Sequence, residues 1–177
     1  RTIFDKHGVI ILRSLKERGL NIAIKAGHND EHHNHNDVGS YVLTLDDTVI
    51  IADPGAEVYT ARTFSERRYE SKVINSYGHP VPVVSGALQK TGRDAKGKIV
   101  LTDFSEKNDK VIIDLKDAYP VSGIEKFTRE VNFSRENKKE VIIIDSIEFK
   151  SPKKFETALI TMGDFIRQDN NTFLVYN

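Results

Sequence analysis

Four of the six histidines, His28, His32, His33 and His35, fall within eight positions of the stretch AGHNDEHHNHNDVGS (26–40), among Asn and Asp residues. Imidazoles at that density can ligate a metal, carry protons near neutral pH, or sit in an ordinary polar loop. His33 and His35 are two apart, so on an extended segment both side chains face one side. That spacing lets one strand offer two imidazoles to one centre. The apolar run VGSYVLTL that follows gives the pair a rigid base, and Gly39 permits close approach of another backbone.

Two further candidates lie downstream. IIADPG ends an apolar strand on Asp53 ahead of a Pro-Gly turn, and His79 stands alone in SYGHPV. An Asp in that place commonly starts a turn, but from a strand end it can also be aimed at a histidine. Two imidazoles, a carboxylate and an open fourth position make a zinc-type site. The chain has no cysteine, so disulfides, thiolate ligands and a Cys nucleophile are excluded.

The elements that must position these groups read as strands. Apolar, β-branched runs recur at 8–14, 21–27, 41–45, 48–53, 98–104, 110–115, 127–133, 140–149, 155–161 and 172–176, with short polar breakers between many of them. Many short strands with regularly placed turns argue for an all-β domain, a sandwich or barrel. LDDT (45–48) reads as a tight hairpin turn, because Asp tolerates positive φ. The exception is TFSERRYESKVINS (63–76), where Ser65 is a candidate N-cap for a short helix or irregular loop over 65–76. Residues 77–97, with two prolines and four glycines, read as loop-rich.

A length of 177 residues suits one domain with a real core. The formal net charge is zero, so charge gives no case for a nucleic-acid or acidic-membrane partner. No apolar run approaches the roughly 18 residues of a membrane-spanning helix. Residue 1 is Arg, not Met, and the last run, TFLVY, is strand-like. The expectation is a piece of a longer polypeptide.

Three families use similar short histidine patterns. Metallo-β-lactamase-like hydrolases carry HxHxDH, but here Val38 follows HNHND. Cupins carry a glycine, then HxH, then a glutamate; Gly27, His33 and His35 match, while the glutamate position falls on Gly39 or Ser40. The third match is much longer. GHNDEHHNHNDVGSYVLTLDDTVIIADPGAEVYTARTFSERRYE resembles the β-sandwich domain of heparinase II/III-like polysaccharide lyases. There, HNHND leads into a strand, a hairpin and DPG, then a Tyr-Thr segment, RYE and later a histidine. All occur here in that order over residues 27–80.

The resemblance implies an antiparallel, supersandwich-like β-sandwich over residues 1–177, lacking the family's N-terminal α/α-toroid. It implies cleavage of uronate-containing glycans, such as heparin, heparan sulfate or alginate, by β-elimination in the full-length parent. A base takes the C5 proton, and the 4-linked oxygen leaves after protonation. His33 matches the catalytic histidine, and His35, Asp53 and His79 match the ligands of a structural zinc. Arg68 and Tyr69, in the RYE element, are candidates for binding the acidic glycan; Tyr59 and Arg67 lie beside them. Asn34, Asn36 and Asp37 either set the imidazole tautomers or cap the loop, and His28 and His32 read as bystanders. The toroid supplies the other catalytic groups, so the piece alone is expected to be inactive. The implied location is periplasmic or secreted. Two alternatives stand beside this reading: a non-catalytic glycan-binding or structural module stapled by zinc, and a cupin-like metalloenzyme.

Overall fold

The fold is described from a computed structural model covering residues 1–15, 18–135 and 140–176. Fourteen strands are found among the described residues: β1 (Thr2–Phe4), β2 (Val9–Arg13), β3 (Leu20–Lys25), β4 (Gly27–Asn29), β5 (Tyr41–Leu45), β6 (Thr48–Ile51), β7 (Val83–Val84), β8 (Gly92–Phe104), β9 (Asn108–Asp114), β10 (Ile124–Ser134), β11 (Glu140–Phe149), β12 (Phe155–Glu156), β13 (Asp164–Arg167) and β14 (Phe173–Tyr176). The first sheet runs β1-β2-β3-β5-β6 and the second runs β11-β10-β9-β8-β4. Two small sheets pair β12 with β7 and β13 with β14. Every ladder is antiparallel.

Alternation in the sequence becomes the two inner faces. Ile10 lies opposite Ile24, and Leu12 opposite Ile22, in the first sheet. Val111 lies opposite Val131, and Asp109 opposite Phe133, in the second. Apart from Asp109, these side chains are buried in one apolar cluster shared by the two sheets. Each buried Ile, Leu or Phe contributes about 1.5–3 kcal/mol relative to exposure. The expected all-β sandwich is what forms.

The β5–β6 hairpin turns at Asp46, whose φ is +54°, as expected for LDDT. Residues 62–78 form three short 3₁₀ turns, Arg62–Phe64, Glu66–Glu70 and Ser76–Gly78. Ser65 caps the second by accepting from the Arg67 amide. β4 and the start of β8 were not apparent from the sequence, since GHN and GRD carry no apolar alternation. The expected strand 155–161 is paired only at Phe155 and Glu156.

The histidine-rich stretch departs from the extended form assumed for it. Residues 31–36 form a turn between β4 and β5, closed by the Asn34 amide donating to the Glu31 carbonyl (3.2 Å). His33 has φ +58°, in the left-handed region that costs a non-glycine residue about 1–2 kcal/mol. The two-residue period of a strand therefore does not govern His33 and His35. Gly39 does admit a close neighbour: at φ +87°, a Cβ there would meet Leu115 Cδ1 at 2.8 Å. That neighbour is a side chain just beyond β9 rather than a backbone.

Candidate metal centre

Three loops meet at one point. His35 lies near the end of the turn, with the next residue fixed by the Asn36 amide donating to the Ile74 carbonyl (2.9 Å). Asp53 leaves the end of β6, and its Oδ1 accepts from the Gly55 amide at 3.0 Å, closing the DPG turn. His79 follows the Ser76–Gly78 turn, which Asn75 caps by accepting from the Tyr77 amide (2.9 Å). The potential ligand atoms of His35, Asp53 and His79 all lie within 4.8 Å of one another.

His79 is fully buried, and its Nδ1 lies 2.8 Å from Asp53 Oδ2. The other ring nitrogen, Nε2, is buried with no hydrogen-bond partner. The His35 ring sits 5.2 Å from the His79 ring, tilted by 58°. Burial, reinforced by His79, pushes the His35 imidazole below its ordinary value against the pull of Asp37 and Asp53. Burial opposes the Asp53 charge, but the His79 hydrogen bond and the Gly55 amide hold its carboxyl below the ordinary value. Both shifts favour the deprotonated forms that bind metals.

The donor set fits a divalent zinc ion: two imidazoles and one carboxylate are borderline and hard ligands suited to it. The orphaned, buried His79 Nε2 is a lone pair or proton that the chain itself leaves unanswered. A tetrahedral zinc with bonds of about 2.0–2.1 Å spaces its donors roughly 3.3 Å apart. The shorter 2.8 Å approach of Asp53 to His79 is a hydrogen-bond distance, of the kind by which a carboxylate orients a ligating imidazole.

His33 stands apart from this group. It is exposed, and its Nδ1 lies 3.1 Å from the Tyr59 hydroxyl. The two rings are nearly parallel, 5.6 Å between centroids and 4° between planes. Tyr59 in turn meets Phe64 edge-on at 5.5 Å. The turn thus sends His35 inward to Asp53 and His79 and leaves His33 outside on an aromatic ledge.

Arg68 and Tyr69 reach the same turn from the 3₁₀ segment. Arg68 Nη2 donates to the Asn34 carbonyl (2.7 Å) and Nη1 to the Thr63 carbonyl (2.9 Å). The Tyr69 hydroxyl lies 3.4 Å from Asn34 Nδ2. Arg68 thus grips the Asn34 peptide between His33 and His35, and Tyr69 meets the Asn34 side chain. Arg67 pairs instead with Glu70 at the surface. Of the expected bystanders, His28 lies on β4, 3.4 Å from Glu31 Oε1, and His32 is exposed.

The residues that hold the loops were missed at the sequence level. Gln89 is buried; its Nε2 donates to the Val38 carbonyl (2.7 Å) and its Oε1 accepts from the Val38 amide (3.1 Å). Asn29 donates to Gln89 Oε1 (3.1 Å) and accepts from the Asp37 amide (3.3 Å). Asp37 also pairs with Lys25. Buried Arg129 forms a two-pronged pair with Asp145, both bonds 2.7 Å. Its Nη1 donates to the Gly39 and Pro80 carbonyls, at 2.7 and 2.8 Å. One guanidinium therefore holds the exits of both histidine loops. Polar types at 29, 89 and 129 carry no local signal of burial.

A sandwich with a His-Asp-His group on its loops is the class that the geometry defines. No protein-family model and no curated protein matches the chain. Among solved structures, a heparinase III gene product with methylated lysines superposes with a TM-score of 0.78 at 15% identity, covering 99% of this chain and 26% of that one. A second structure of the heparinase III gene product gives 0.74 at 15% identity, covering 94% and 25%. The chain has a heparinase III-like fold and spans about a quarter of the length of those proteins.

Proposed function

We propose that this chain is the β-sandwich part of a longer polysaccharide lyase that cleaves uronate-containing glycans by β-elimination. The observation that carries this reading is the division made by the 31–36 turn. His35 joins Asp53 and His79 within 4.8 Å, while exposed His33 meets the Tyr59 hydroxyl at 3.1 Å. A ligand group turned into the protein, with His79 fully buried, and an exposed proton carrier are the two parts such a site needs.

In this reading His35, Asp53 and His79 hold a zinc ion, whose contribution is to fix the three loops. His33 takes the proton from the uronate C5 or gives one to the leaving 4-linked oxygen, and Tyr59 sets the tautomer of the His33 ring through Nδ1. Imidazole is a side chain suited to proton transfer near neutral pH. Arg68 and Tyr69 serve the glycan face indirectly, by fixing the backbone and the side chain of Asn34, which joins His33 to His35. The remaining catalytic groups belong to a helical toroid elsewhere in the parent, which acts in the periplasm or outside the cell.

The deciding experiment is His33→Ala in the full-length parent, with zinc content and unsaturated product measured together on heparin, heparan sulfate and alginate. Loss of turnover with zinc retained supports the lyase reading. Unchanged turnover points to the zinc-stapled, non-catalytic module.

A further inference from the structure

The run FETALIT carries strand-forming residues throughout, yet its pairing stops after Glu156. Its extended form does not stop there. Glu156, Ala158 and Ile160 line one cleft of about 510 Å³, with Tyr77, Val81 and Leu88. Leu159 and Thr161 line a second cleft of about 390 Å³, and Thr157 touches both. Alternation between two sides is the geometry of a β-strand. Among the described residues, the only backbone bond along 157–161 is the Ala52 amide donating to the Ile160 carbonyl (2.8 Å). The amides of 157–161 donate to no backbone carbonyl among those residues.

The far wall of the second cleft is Phe165, Phe173 and Val175 of the β13–β14 hairpin. Ile166, Leu174 and Tyr176 occupy the hairpin's opposite face by strand alternation, at 51%, 48% and 45% exposure. Apart from Asp164 and Arg167, the hairpin is therefore apolar on both sides. An isolated two-stranded hairpin is marginal in water, and an apolar strand with free amides is a template for another strand. No charged residue lines the second cleft, so its chemistry does not suit an acidic glycan. The structures that share this fold have chains about four times as long.

We propose that residues 157–161 and the β13–β14 hairpin form an interrupted sheet that receives further β-strands of the same polypeptide. One incoming strand pairs with the free amides of 157–161, and its apolar side chains fill the two clefts. This rests on the reading that the chain is part of a longer protein. Zinc content and lyase turnover do not enter its test, so the two ideas fail separately.

The test is hydrogen exchange on this 177-residue chain and on the full-length parent. The amides of 157–161 exchange at least about 100-fold more slowly in the parent, as expected when open strand groups gain ladder partners. Leu159→Lys in the parent restores fast exchange there while β10 amides stay protected. Equal rates in the two proteins overturn the proposal, as does protection in the parent that survives Leu159→Lys. Protection already present in the short chain, with concentration-dependent sedimentation, also overturns it and assigns the surface to a second copy.

Discussion

Gln89 holds Val38 by both of its backbone groups, donating to the carbonyl at 2.7 Å and accepting from the amide at 3.1 Å. A primary amide can copy the pairing of a neighbouring strand because it presents a donor and an acceptor side by side. Val38 lies three residues after His35, so this pair anchors the exit of the histidine turn. Gln89→Ala leaves both Val38 groups buried without those partners and is expected to cost about 2–4 kcal/mol. Urea unfolding checks the loss, and zinc titration of the same variant should show weakened affinity.

The shifted titrations of His35 and Asp53 give a pH dependence of defined sign. His35 lies below its ordinary value of 6.5 in the fold, so the unfolded chain binds more protons as pH falls through that range. Asp53 lies below 3.8 and acts in the same direction at lower pH. Their contributions to metal-free stability are present above the unfolded values and are lost on acidification. Urea midpoints of the metal-free protein should therefore fall as pH drops through and below 6.5, less steeply in His35→Ala.

Strain at His33 offers a test that separates catalytic from structural need. With φ +58°, His33→Gly relieves a left-handed backbone and is expected to stabilise the domain by about 0.5–1 kcal/mol. In the parent, the same change should reduce turnover by about 10²–10⁴-fold, the size of a general acid–base contribution. A variant that gains stability and keeps its activity would remove His33 from the chemistry. Tyr59→Phe should act in between, because the His33 ring stays in place while the hydroxyl at 3.1 Å is lost.

Arg129→Met is expected to destabilise the domain by about 3–5 kcal/mol, since Asp145 is left charged, largely buried and unpaired. The double change Arg129→Met with Asp145→Leu should recover much of that loss. It should not recover zinc affinity, because the Gly39 and Pro80 carbonyls still lack their donor. Denaturation and metal titration on the two variants measure the two effects separately.

The strands were legible because their inner faces alternate. Ile10, Leu12, Ile22 and Ile24, or Phe127, Val131 and Phe133, announce a buried side by their spacing alone. The short turn from Glu31 to Asn34 was not legible, since HHNH fits an extended segment as well as a turn. Its left-handed residue is a histidine rather than a glycine, so the usual marker was missing. Gln89 and Arg129 were invisible for another reason. The loop backbone groups they hold lie 51 and 49–90 positions away along the chain, and nothing local distinguishes them from solvated residues. Asp53 and His79 entered the candidate centre because motif order carried them, not because sequence spacing implied that 26 residues fold back to a contact.

The guanidinium of Arg129 has a consequence for how this centre changes over time or by design. It belongs to β10, well outside the histidine turn, yet its position sets the separation of two loops that each deliver an imidazole. Repacking along β10 and β11 can thus adjust how His35 and His79 approach each other without altering either residue. The second sheet is the tuning element of a centre it does not visibly contain.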